Sequence, residues 1–179
     1  LLSRGLGDVY KRQEYEGARI VHRLDRDTSG VIVMAFDAES HRELSRQFQD
    51  REVEKAYVAI ADGVIEDDLG EIDLPMRKDL EDTPRQIIDH EHGRRALTRW
   101  RVLERLEDRT RVELLPYTGR SHQLRLHLKV IGHPILGDDL YAPPEARAKA
   151  DRLMLHSRML SVVHPGTAAP LVFEADVPF

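Results

Sequence analysis

The stretch HRLDRDTSGVIVMA, residues 22–35, does most to constrain the chain. Ionisable side chains crowd its first half, a Thr28-Ser29-Gly30 turn follows, and the apolar run at 31–35 is long enough for a buried strand. A carboxylate, Asp25, is thereby set on a tight loop at the mouth of a strand. Loops held by stiff elements are where reactive groups usually sit. On spacing alone, the plainer reading is a polar turn entering a strand.

Charge distribution bears on the partner. The net charge is −5, which at face value opposes binding to a polyanion, since Lys and Arg drive phosphate binding. The charges are segregated, however. Residues 114–137 contain no Asp or Glu but hold Arg120, His122, Arg125, His127, Lys129 and His133, whereas acids gather at 66–68 and 79–82. A basic face on an acidic body can bind RNA. At 179 residues, 41% apolar and 33% charged, the chain has the size and balance of one globular domain. No apolar run approaches a membrane span and nothing at the start reads as a signal peptide, so a cytoplasmic protein without membrane contact is expected. Cysteine is absent, which rules out disulfides and thiolate chemistry.

HRLDRDTSG closely resembles the catalytic loop of the RluA-type family of RNA pseudouridine synthases. TGRSHQLRLHL at 118–128 resembles that family's other signature, and GHPILGDDLYA at 132–142 follows in the family's order. The likeness runs from about residue 20 to 179. Through LYAPPEARAKADRLMLHSRML it looks most like the branch that modifies both 23S ribosomal RNA and transfer RNA. The resemblance implies an α+β fold, the pseudouridine synthase catalytic fold: a mostly antiparallel, mixed sheet flanked by helices and loops. Residues 14–179 are read as a single catalytic domain. Residues 1–13 do not resemble the family's opening, where a strand and a Lys-Pro loop are expected, and read as a remnant or a truncated start.

In chain order, a strand is expected at 31–36 and a helix at 38–51, with Leu44 and Phe48 on one face and Asp37 or Ser40 as its cap. A strand at 53–61 ends at Gly63, and 62–82 reads as surface loop or short edge strands. Residues 95–106 and 109–116 form a hairpin turning at Glu107-Asp108. Residues 121–131 are ambiguous: Leu124, Leu126, Leu128 and Val130 alternate as in a strand, while Leu124, Leu128 and Ile131 make a helical stripe. The resemblance favours helix. Pro143 and Pro144 open a short helix to about 150, and strands at 153–155, 159–163 and 171–175 close the chain.

Pseudouridine formation breaks the uracil N-glycosidic bond, turns the base and joins C5 to the ribose. A carboxylate serves either by attacking C1′ or by abstracting a ribose proton. The resemblance gives that role to Asp25, with Arg120 as the guanidinium that keeps the carboxylate ionised and Tyr57 as the active-site ring that stacks on the base. It also implies that Leu155 packs the uracil and that Arg23 fills the gap left when the target is flipped out of its stem. His22 reads as structural or phosphate-contacting, and Arg125 as part of the RNA-binding basic face. Asp27 reads as a turn residue. The partner is therefore RNA and the protein a monomer. The histidines lack the spacing of a metal site: His90 and His92 lie two apart, His122 and His127 five apart, and no cofactor motif is present. Two rival readings are an inactive RNA-binding relative, which has no need of Asp25, Tyr57 and Arg120 together, and a carboxylate glycosidase. The second needs two carboxyl groups, and the acid-free stretch around Arg120 offers none.

Overall fold

The structure is a computed structural model that describes residues 17–179. The N-terminal segment 1–13 lies outside the described residues. The described chain forms two compact units, one of residues 17–56 with His156–Phe179 and the other of Tyr57–Leu155.

In the first unit, the helix Ala38–Asp50 starts where expected because Asp37 accepts hydrogen bonds from the Ser40 amide and hydroxyl, both at 2.7 Å. Leu44 and Phe48, one turn apart, pack with Val31, Val33, Leu160 and Val162. Gln47 is buried and is held by two main-chain bonds to Val163, donating from Nε2 and accepting at Oε1, each 2.9 Å.

The apolar run at 31–35 is buried except for the half-buried Met34, Phe36 beyond it is exposed, and the run is not one strand. Ser29–Gly30 pairs in parallel with His156 and Ser157, and Met34–Ala35 pairs antiparallel with Arg19–Ile20. The apolar run therefore passes from one set of partners to another. Conversely, the strand expected at 159–163 begins earlier, at Leu155, and runs unbroken to Val163, paired antiparallel with Pro170–Glu174, while Leu153 and Met154, expected as strand, lie before it. The polar His156 and Ser157 lie inside that strand. Both are fully buried, and their backbone bridges to Ser29 and Gly30.

The second unit is built on the expected hairpin, Leu97–Arg105 with Arg109–Pro116, turning at Glu107 and Asp108. The strand Glu54–Asp62 pairs antiparallel with Arg109–Pro116, and the edge strand Leu69–Asp73 with Leu97–Arg105. Gly70 is required on that edge, since a Cβ there would lie 2.5 Å from the Trp100 ring. A helix does form at Gln123–Val130 and a short one at Pro144–Ala148. Ala59, Trp100, Val112, Leu114, Leu124 and Leu128 lead the core. Every pairing but that of Ser29–Gly30 is antiparallel among the ladders described here, which gives the mixed, mostly antiparallel α+β class.

Candidate active site

In the first unit, the loop carrying Asp25 is held at three points. At its start, the half-buried His22 ring accepts the Val33 amide at Nε2 (3.0 Å) and stacks on Phe48 with centroids 4.5 Å apart. Burial, and after it the Lys55 charge, lower its pKa from 6.5 to about 4. The ring is therefore neutral at pH 7, which leaves Nε2 a lone pair with which to accept. In the middle, the Thr28 amide donates to the Asp25 carbonyl at 3.0 Å, closing a turn over Arg26 and Asp27. At the end, the Val31 amide donates to the Ser157 carbonyl at 2.9 Å, beside the parallel bridge of Ser29 and Gly30.

The turn is closed by the main chain of Asp25. Among the described residues, its half-buried carboxylate accepts no hydrogen bond within that turn, so it is not a local cap. Arg23 is exposed. Arg26 and Asp27 pair at 3.3 Å in solvent, a contact of little energetic weight.

In the second unit, the segment before the helix Gln123–Val130 is organised by Gln123. This buried side chain accepts from the Thr118 hydroxyl (2.7 Å) and the Arg120 amide (3.0 Å), and donates to the Leu97 carbonyl (3.0 Å) and Thr98 hydroxyl (2.9 Å). The hub fixes the Arg120 backbone, while Arg120 Nε donates to the Arg95 carbonyl at 3.3 Å. His122 adopts left-handed backbone at φ 54°, and its Nδ1 is 2.9 Å from the Tyr141 hydroxyl. Tyr57 stands opposite Leu114 and packs against the core, as does the buried Leu155. The sequence does not single out Gln123 within the 118–128 stretch. Its signal was a polar residue at the head of a Leu-rich helix.

One expectation is overturned. Arg125 does not belong to a basic surface: its side chain is only 4% exposed and is locked onto Asp138 and Asp139 at 2.6 and 2.9 Å. Nε donates a further bond to Asp138 at 2.8 Å, and the guanidinium lies over the Tyr141 ring. A phosphate could reach it only by breaking a buried ion pair. His127 is likewise fully buried, bonded through Nδ1 to Thr98 at 2.9 Å, and desolvation lowers its pKa to about 4. The exposed basic surface of this segment therefore shrinks to Lys129 with the half-buried Arg120, His122 and His133. Of the two readings of His22, the structural one fits its bond to Val33. Among the described residues, no group of three or more His, Asp or Glu is arranged to hold a metal.

A profile of the RNA pseudouridylate synthase family matches residues 3–129. The dual-specificity RNA pseudouridine synthase RluA of Haemophilus influenzae is 50% identical over 159 residues, covering 88% of this chain and 73% of that one. The chain belongs to the RNA pseudouridylate synthase family. The Escherichia coli K12 protein of the same name is 48% identical over 169 residues, 94% of this synthase and 77% of the relative. Among solved structures, human RNA pseudouridylate synthase domain containing 1 superposes with a TM-score of 0.83 at 31% identity, covering 94% of this synthase and 72% of that chain. Human RNA pseudouridylate synthase domain containing 4 gives 0.76 at 27%, covering 97% and 76%. The fold expected from the three signature stretches is thus the one present, and this synthase is an enzyme that isomerises uridine in RNA. Among the described residues, no helix is long and apolar enough to cross a membrane.

Proposed function

We propose that the enzyme acts on stem-loops of both transfer RNA and 23S ribosomal RNA, with Asp25 as the catalytic carboxylate. The observation that carries the substrate reading is the 50% identity, over 88% of the chain, to a synthase whose name states dual specificity. The reading of Asp25 is supported by a half-buried carboxylate that its own turn does not use.

The reaction breaks the bond between uracil N1 and ribose C1′, turns the base, and forms a bond between C5 and C1′. The C5 hydrogen leaves as a proton and N1 takes one up, so composition is unchanged and no redox cofactor is called for. Asp25 either attacks C1′ or removes a ribose proton, and both routes need the ionised carboxylate. Arg120 supplies the positive charge that favours that form. Tyr57 stacks on the base and Leu155 gives it an apolar wall. The exposed Arg23 fills the gap left by the flipped nucleotide. The enzyme works as a monomer in the cytoplasm.

Carbodiimide labelling followed by primer extension, on transfer RNA and 23S transcripts incubated with the protein, tests the substrate reading. A new stop in a stem-loop of each RNA is expected. Stops in only one RNA class, or in none, overturn dual specificity.

A further inference from the structure

The bridge between Ser29–Gly30 and the buried strand is more elaborate than a loop anchor needs to be. His156 is fully buried, and its two ring nitrogens make different contacts. Nε2 faces the Ala175 carbonyl at 3.4 Å, an acceptor only, so that nitrogen carries the proton. With the proton on Nε2, Nδ1 has a lone pair and accepts from the Ser29 hydroxyl 2.8 Å away. The Phe179 ring meets the imidazole edge-on at 6.4 Å. Gly30, at φ +116°, approaches so closely that a Cβ would lie 2.1 Å from the Ser157 carbonyl oxygen. The backbone contact fixes where the loop enters the strand, and the His156–Ser29 bond fixes how Ser29 is turned. Ser29 directly follows Thr28, whose amide closes the turn on the Asp25 carbonyl.

We infer that His156, acting through the Ser29 hydroxyl, is a positioning residue that sets the orientation of the Asp25 turn for catalysis. The inference rests on the reading of Asp25 as the catalytic carboxylate. Neither His156 nor Ser29 touches the reacting atoms in this account. Their effect is on where the carboxylate stands, and a misplacement of about 1 Å costs about 100-fold in rate.

The test is single-turnover tritium release from RNA labelled at uridine C5, with RNA affinity measured in parallel, for Ser29→Ala, Ser29→Thr, His156→Asn, His156→Gln and Asp25→Asn. Ser29→Ala is expected to slow the chemical step about 10- to 100-fold with affinity within about threefold, and Ser29→Thr, which keeps the hydroxyl, to recover most of the rate. Asn places an oxygen acceptor where His156 has Nδ1, whereas Gln places its donor near Nε2 and removes the acceptor at the Nδ1 position. His156→Asn is therefore expected to react faster than His156→Gln. A merely structural role, in which the ring is needed for its bond to Ala175, predicts the reverse order. Ser29→Ala at the wild-type rate beside an inactive Asp25→Asn, or Gln matching or exceeding Asn, overturns the inference alone. Turnover by Asp25→Asn overturns the reading of Asp25 and takes this inference with it.

Discussion

Removing the Arg125 guanidinium would strand two carboxylates, one of them fully buried, so Arg125→Ala is expected to act on stability. Breaking a buried pair from one side costs about 3–5 kcal/mol. Urea unfolding should register that loss, while the salt dependence of RNA binding keeps its slope. A stable variant with a shallower slope would return Arg125 to the RNA surface. Sequence alone placed Arg125 wrongly because a cation in an acid-free segment looks solvated. Its partners, Asp138 and Asp139, lie just beyond that segment and become neighbours only on folding. The half-buried His22 and the fully buried His127 make a second prediction. Both have a folded pKa of about 4 against 6.5 unfolded. As pH falls below about 6.5, the unfolded chain takes up protons that the folded one refuses, so stability is full above that pH and declines toward pH 4. Between pH 6.5 and 5, before most carboxylates titrate, the decline should be halved by His22→Gln or His127→Gln. A flat wild-type profile across that window would contradict the burial argument.

At the scale of elements, the Asp25 loop depends on one glycine. In Gly30→Ala, both the backbone angle and the Ser157 carbonyl oppose the added methyl, at a cost of about 3 kcal/mol or more. Unfolding free energy and turnover should fall together, and a variant within about 1 kcal/mol of wild type would show that the close approach is dispensable. The helix Ala38–Asp50 was legible because its cap, its apolar stripe and its length agree. The helix Gln123–Val130 was not, on periodicity alone. It is buried on nearly every side from Gln123 to Leu128, so its polar residues alternate with leucines as in a strand. Gln123, Arg125 and His127 tolerate burial because each meets specific partners, and no local pattern announces those. The run at 31–36 misled in the opposite way: hydrophobicity reported the burial of 31–35 but not the exposure of Phe36, and it says nothing about which strand supplies the hydrogen bonds.

At the scale of the whole molecule, the function was more legible than the architecture. Three signature stretches in a fixed order point to one family, and the comparisons agree. The division into two units is invisible in composition because the chain crosses between them within the strands Glu54–Asp62 and Leu155–Val163, where no linker is needed. Each unit has its own apolar cluster, and each carries part of the proposed catalytic set: Asp25 and Arg23 in the first, Tyr57, Arg120 and Leu155 in the second. The central claim is that Asp25 performs the chemistry. Release of tritium to water from C5-labelled uridine in transfer RNA, with wild type and Asp25→Asn side by side, tests it most directly. The expected result is release by the wild type and none by the variant, with RNA affinity changed by less than about tenfold because no phosphate contact is lost. Wild-type-like release by Asp25→Asn would contradict the account.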